Sequence, residues 1–144
     1  MDITRVPVSG DLRALLAAND LPIDDIDDPT IAFYGAFDRS RLVGVIGLQA
    51  LAGTGLLRSL AVDASVRGRG LGGELCDRVL REARDRGLTE LWLLTTSARD
   101  YFVRRGFTPI PREHAPDVLR ATAQFSSLCP STAGVLRYVV RDRV

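Results

Sequence analysis

Apolar residues recur at helical spacing in some stretches of the chain and run nearly unbroken in others, and this alternation divides it into elements. In residues 10–18, Leu12, Leu15 and Leu16 share one face, which predicts a short helix. The stretch 21–29 that follows (LPIDDIDDP) is acidic and bracketed by prolines, and reads as a loop or one broken turn. Residues 31–37 and 42–49 are apolar and rich in β-branched or aromatic side chains. Asp38-Arg39-Ser40-Arg41 between them makes the pair a β-hairpin. Residues 55–62 read as a further strand. From Gly70 to about Arg86, the residues Leu71, Leu75, Val79, Leu80 and Ala83 keep helical spacing, and Gly87 supplies the stop.

The second half continues in the same manner. Leu91-Trp92-Leu93-Leu94 is a continuous apolar run, as expected of a buried central strand. Ser97 with Asp100 resembles a capping box and predicts a helix over 98–105 that ends at Gly106. Residues 107–111 suit an edge strand, where proline is tolerated. Pro116 fits the first turn of another helix, with Val118, Ala121, Phe125 and Leu128 as its buried stripe and Pro130 after its end. Residues 135–140 form a last strand. Only the segment from 55 to 95 is a strand–helix–strand unit, so its two strands, 55–62 and 89–95, should be parallel and adjacent. The early hairpin makes the sheet mixed and the class α/β.

Length adds one constraint: 144 residues fit a single domain, 1–144. With 46% hydrophobic and 26% charged residues the chain belongs among folded globular proteins rather than disordered ones. Its net charge of +1 argues against a dedicated nucleic-acid binder. All 19 basic residues are arginine, so mechanisms that need a lysine nucleophile or Schiff base are excluded. Cys76 and Cys129 lie far apart without metal-ligand spacing and read as reduced structural thiols, and no metal is expected. No basic-then-apolar leader opens the sequence and no apolar run reaches the roughly 18 residues of a membrane span, so no membrane partner is expected and the cytoplasm is the expected location.

The chemistry concentrates between the strand ending at Val62 and the helix beginning at Leu71. The segment Arg67-Gly68-Arg69-Gly70-Leu71-Gly72 joins glycines, which let a ligand approach the backbone, to a helix start, whose N–H groups and dipole favour an anion. Arg67 and Arg69 add positive charge, and a diphosphate is the natural guest. A P-loop is excluded because it needs a lysine. Gly68-x-Gly70-x-x-Gly73 matches the dinucleotide fingerprint, but five residues separate Val62 from Gly68, and the next strand ends in Thr95-Thr96 rather than an acid.

Arg67-x-x-Gly70-x-Gly72, after a strand ending Leu60-Ala61-Val62, resembles the acetyl-CoA signature of the GNAT superfamily of N-acetyltransferases. Residues 98–107 (ARDYFVRRGF) resemble that family's second motif, a helix closing in Gly-Phe. Within the superfamily the chain is most similar to small bacterial acetyltransferases associated with arsenic-resistance operons. That narrower likeness rests on residues 56–62, Leu94-Thr95-Thr96, and 110–130 with Leu119-Arg120-Ala121-Thr122 and Leu128-Cys129-Pro130.

The resemblance implies a mostly antiparallel mixed sheet with a splayed central parallel pair and flanking helices. It implies acetyl-CoA as co-substrate, held by the backbones of Leu60, Ala61 and Val62, by residues 67–72 and near Thr95. The acceptor it implies is a small-molecule amine, and it is compatible with a homodimer. The family's acid tyrosine position holds Phe102, which leaves the neighbouring Tyr101 as candidate acid. The usual glutamate base is missing from residues 54–62, where Arg58 and Ser59 are the polar groups. Ser59 is therefore a candidate catalytic group, and Arg58, with its planar fork, is a candidate either for a substrate carboxylate or for a salt bridge to the acidic loop or another acid. The lone histidine, His114, is a weaker candidate base. Two other functions fit the same motifs: protein or peptide N-acetylation, and CoA binding without chemistry. A helix over 116–128 covering the acceptor site argues against the first, and the missing tyrosine and glutamate favour the second.

Overall fold

A computed structural model describes residues 2–128 and 132–140. The fold is mixed α/β. Its strands are β1 (Ile3–Val6), β2 (Ile31–Asp38), β3 (Arg41–Leu51), β4 (Thr54–Val62), β5 (Glu90–Thr95), β6 (Thr108–Pro109) and β7 (Gly134–Val139), and its helices are α1 (Gly10–Ala18), α2 (Leu71–Asp85), α3 (Arg99–Arg104) and α4 (Asp117–Arg120). The strands are hydrogen-bonded in the order β1-β2-β3-β4-β5-β7-β6. β4 and β5 are parallel, as the strand–helix–strand reading expects, through Thr54–Glu90, Gly55–Leu91 and Leu56–Trp92. β1 with β2, β2 with β3, β5 with β7 and β6 with β7 are antiparallel.

The chain divides into two compact units: residues 1–49 with 57–82, and residues 50–56 with 83–144. In the first, Leu12, Leu15 and Leu16 of α1 pack with Phe33, Val45, Ala61 and Ile26 in an apolar core. α1 starts where Ser9 Oγ accepts from Leu12 N at 3.1 Å. The acidic loop is pinned by Ile26, which is fully buried. In the second unit Leu56, Trp92, Ala115, Leu119, Phe125 and Val135 form the core.

All three helices of six or more residues end alike. Asp20, Gly87 and Gly106 take left-handed φ values of 58°, 72° and 99°. The next amides, of Leu21, Leu88 and Phe107, reach back to the carbonyls of Leu16, Ala83 and Phe102. This is the Schellman closure, and it fixes the exit of each helix. The β3–β4 turn, Ala52-Gly53, has φ of 48° and 82°, the pattern of a tight two-residue hairpin.

Several expectations are corrected. β1 was not expected; its short sequence, ITRV, carries little apolar signal. Ser97 does not cap α3: the cap position is Ala98 with no side-chain bond, and Thr95 Oγ1 accepts from Ala98 N at 2.9 Å. The segment 116–128 is not one helix. α4 lasts one turn, with Pro116 at its cap, and Gln124–Leu128 forms a π-helical turn. Leu119, Thr122, Gln124 and Phe125 are buried there, while Val118 is 38% exposed and Ala121 is exposed. Phe125 is buried as expected, whereas Leu119 and Thr122 turn inward in place of Val118 and Ala121. Cys129 and Pro130 lie outside the described residues.

Candidate functional site

Beyond Val62 the chain is organised by Asp63. Its Oδ1 accepts from Ser65 N (2.9 Å) and Ser65 Oγ (2.6 Å), and its backbone N–H donates to Val43 O (2.8 Å). Arg41 reaches across from β3 to Asp63 Oδ2 (3.2 Å) and Ser65 Oγ (2.8 Å). The Ser65 bonds, and then the charges of Arg41 and Arg67, hold the Asp63 carboxyl below the usual carboxylate range. A single 3₁₀ turn, Ala64–Val66, follows, with Val66 buried beneath it.

Arg67 is an anchor as well as a charge. Its Nε donates to Val62 O (3.2 Å) and an Nη donates to Asn19 Oδ1 (2.9 Å), which ties the loop to the end of α1. Arg69 is exposed and, among the described residues, no acceptor meets its guanidinium. Gly68 and Gly70 have φ of 83° and 79°, and a Cβ built on either would meet nothing within 4 Å. Both therefore present bare backbone to open space. Gly70 O accepts the first helical bond, from Glu74 N at 3.1 Å. The Leu71 and Gly72 amides, which precede that bond, have no carbonyl one turn back inside the helix. Leu71 itself is buried against β3, where Gly44 makes room: a Cβ there would lie 2.8 Å from Leu71 Cδ2. The sheet thus fixes the start of α2, with helix amides, open glycine backbone and Arg69 at one exposed turn. That combination is suited to a phosphate-type anion.

β4 carries the second group. Ser59 has φ of +58° in mid-strand, a left-handed residue of the kind found at bulges. The Arg58 side chain is fully buried and bidentate to Asp25, at 2.5 Å on each oxygen, and its Nε donates to Ser59 Oγ at 3.1 Å. The guanidinium fork read as open to a substrate carboxylate is thus occupied by the acidic loop. Beside it lies a cluster that the sequence did not announce. Gln49 Nε2 donates to Thr30 Oγ1 (3.1 Å) and to Asp28 Oδ2 (3.4 Å), and Thr30 donates to Asp28 Oδ1 from both its N–H and its hydroxyl. The Thr30 bonds, and then the charge of Arg58, keep the Asp28 carboxyl below the usual range. Gln49 is 3% exposed, and among the described residues nothing donates to its Oε1. The signal was a lone glutamine in an otherwise apolar strand.

The remaining candidates belong to the second unit. Thr95 pairs with Gly134, and its hydroxyl serves the turn into α3. Tyr101 is half-buried, edge-on to Phe102 at 5.1 Å, with Arg105 over its ring at 5.8 Å. Phe102 is buried and also packs on Phe107. His114 is exposed in a 3₁₀ turn. Among the described residues no three His, Cys, Asp or Glu side chains gather as a metal site, and no helix is long and apolar enough to cross a membrane.

The family model for the acetyltransferase (GNAT) family matches residues 9–107. An amino-acid acetyltransferase of Mycobacterium tuberculosis is 38% identical over 71 residues, which cover 49% of this chain and 40% of that one. This chain therefore spans less than half the length of that relative. The solved N-acetylglutamate synthase of Neisseria gonorrhoeae, complexed with coenzyme A and N-acetyl-glutamate, superposes with a TM-score of 0.78 at 18% identity, over 98% of this chain and 36% of that one. A Mycobacterium tuberculosis protein solved with CoA and NLQ gives 0.77 at 22% identity, over 98% and 100% of the two chains.

Proposed function

The chain belongs to the acetyltransferase (GNAT) family, and from that premise we propose that it transfers an acetyl group from acetyl-CoA to the amine of a small, amino-acid-like molecule. The observation that carries the proposal is the turn at 67–72. Two left-handed glycines with open space above them, an exposed Arg69 and the first amides of α2 make a cradle suited to a pyrophosphate. The acceptor class is supported by a relative named amino-acid acetyltransferase and by a structural neighbour solved with N-acetyl-glutamate.

Bound acetyl-CoA supplies the activated thioester. Arg69, Gly68, Gly70 and the Leu71 and Gly72 amides hold its diphosphate, while Arg67 keeps the loop on the end of α1. The backbones of Leu60, Ala61 and Val62 serve the pantetheine arm and the thioester oxygen. The left-handed Ser59 stands directly before Leu60 on that strand, and one backbone donor on a developing oxyanion is worth about 10²–10³ in rate.

The acceptor must arrive as a neutral amine. An α-amino group, with a pKa near ~8, is already partly neutral at physiological pH, whereas a lysine side chain at ~10.4 is not. Little base catalysis is then needed, which suits a β4 without a glutamate. Arg58 acts by holding Asp25 and so shaping the acidic loop, whose carboxylates draw the ammonium end. Tyr101 shares with water the delivery of a proton to the leaving thiolate, Ser59 is assigned the polar contact beside the acceptor, and Thr95 the position next to the cofactor arm. Positioning supplies most of the acceleration.

The reading sets the reaction in the cytoplasm and takes a homodimer as the assembly, which light scattering checks. The narrower likeness to arsenic-resistance-associated enzymes predicts that deleting the gene lowers arsenite tolerance. The principal test follows thiol release from acetyl-CoA with amino acids, polyamines and peptides as acceptors. Turnover greatest with amino acids is expected. CoA binding without turnover on any amine leaves a binding module, and preference for peptides or polyamines overturns the acceptor class.

A further inference from the structure

The second compact unit holds a cavity of about 360 Å³ lined by Arg105, Gly106, Thr108, Arg137, Tyr138 and Val139. None of these residues belongs to the loop or strand used above. We propose that this cavity is a binding site for a small oxyanion, a carboxylate or a phosphate, received by the guanidinium of Arg137.

Arg137 lies on β7 with a strand on either side, opposite Trp92 of β5 and Thr108 of β6. Its guanidinium carbon sits over the Trp92 ring, 5.9 Å from the centroid. Stacking on an indole fixes the plane of the fork while leaving its N–H edge for an acceptor. Yet the Arg137 Nε is buried, and among the described residues nothing accepts from it. A buried N–H of a charged group without an acceptor is destabilising, so a position that retains one points to an acceptor from outside the chain. The acid closest in register, Glu90, stands opposite Val139, and its Oε2 accepts from Trp92 Nε1 at 2.9 Å. Among the described residues no carboxylate lines the cavity.

The other walls fit the same guest. Arg105 adds a second positive charge, with its guanidinium over the Tyr101 ring. Thr108 offers a hydroxyl. Tyr138 and the half-exposed Val139 supply apolar surface for a short carbon skeleton. Gly106 closes on Tyr138 so tightly that a Cβ would come within 3.2 Å of the ring. The Arg137 fork selects charge and planar geometry together, and a bidentate oxyanion satisfies both.

Trp92 is the only tryptophan in the chain, so its fluorescence reports on Arg137. Inorganic phosphate and glutarate are titrated separately into the full-length protein at constant ionic strength, with chloride as reference. A saturable fluorescence change and a matching rise in Tm are expected with at least one of them, and the one that binds more tightly identifies the source of the oxyanion. Both signals should persist in Arg69→Gln, vanish in Arg137→Met, and weaken about tenfold in affinity in Arg137→Lys. Without any anion, Arg137→Met should melt no lower than the parent, because it removes a half-buried cation whose buried Nε–H has no acceptor. A response no greater than that of chloride, a response unchanged in Arg137→Met, or one lost in Arg69→Gln overturns the proposal. If Arg137→Met misfolds, the Arg137→Lys titration decides alone: unchanged affinity refutes the site.

Discussion

Removing Asp25 strands a fully buried cation, and the size of that effect tests how the acidic loop is held. Arg58 has no side-chain exposure, while Asp25 retains 12%. Both Asp25 oxygens engage the fork, so Asp25→Ala leaves two N–H groups without acceptors, and only Nε keeps its bond to Ser59. Deleting one member of a buried pair costs about 3–5 kcal/mol. Asp25 sits in a loop that can admit water to the abandoned guanidinium, which places the expectation at the low end, about 3 kcal/mol. For a chain of this size that is a fall in Tm of roughly 10 °C. The double variant Asp25→Leu with Arg58→Met removes both charges and should melt close to the parent, since an apolar pair of similar volume often matches an ion pair it replaces. Urea denaturation of the parent, Asp25→Leu, Arg58→Met and the double variant at neutral pH gives the coupling energy directly, expected to exceed about 2 kcal/mol. A loss below about 1 kcal/mol for Asp25→Ala, or a coupling near zero, would mean that the pair does not organise the loop, and the role assigned to Arg58 would fall with it.

Three further outcomes are expected. Gly70→Val should weaken CoA binding at least about 100-fold in calorimetric titration while far-UV circular dichroism stays unchanged. No protein atom would clash with the new Cβ, but it would fill the cradle and strain a φ of +79°; unchanged affinity refutes the anion reading. Asp63 has a depressed folded pKa, so its contribution to stability is full above the ordinary aspartate range and is lost as pH falls through the folded value. Asp63→Asn should therefore flatten the acid limb of a Tm-against-pH curve and leave the slope above pH 6 alone. Tyr101→Phe should lower turnover by less than about 100-fold; a thousandfold loss at unchanged acetyl-CoA affinity would make its phenol a full general acid.

The parts of this architecture visible in the sequence are those set by local spacing. α1, α2, the hairpin and the parallel pair follow from apolar periodicity and glycine stops. The loop at 67–72 was legible because its residues are contiguous and their chemistry is collective. What stayed hidden depends on partners distant in sequence. Arg58 and Asp25 are 33 residues apart, and both a substrate role and a salt bridge to the acidic loop fitted the sequence. Gln49 gave no hint that Asp28 and Thr30 would meet it. Thr95 drew attention as a cofactor neighbour, but its hydroxyl is committed to the turn into α3. The segment after Pro116 kept helical composition, yet it is one helical turn followed by a separate π turn, with Leu119 and Thr122 inward in place of Val118 and Ala121, a break that periodicity does not register.

β4 begins in one compact unit and ends in the other: Thr54–Leu56 belong with the C-terminal residues and Leu57–Val62 with the N-terminal ones. A ribosome therefore delivers the second unit's first strand segment before residues 57–82, the remainder of the first unit, are made. Thr54, Gly55 and Leu56 must wait for partners 36 residues downstream, at Glu90, Leu91 and Trp92. At about 5–20 residues per second, that edge is open for roughly two to seven seconds during synthesis. An edge exposed for that long is a place for chaperones to engage and for misassembly to begin. Neither unit is one continuous stretch of sequence, so a truncation made between them will separate strands that need each other rather than release a module.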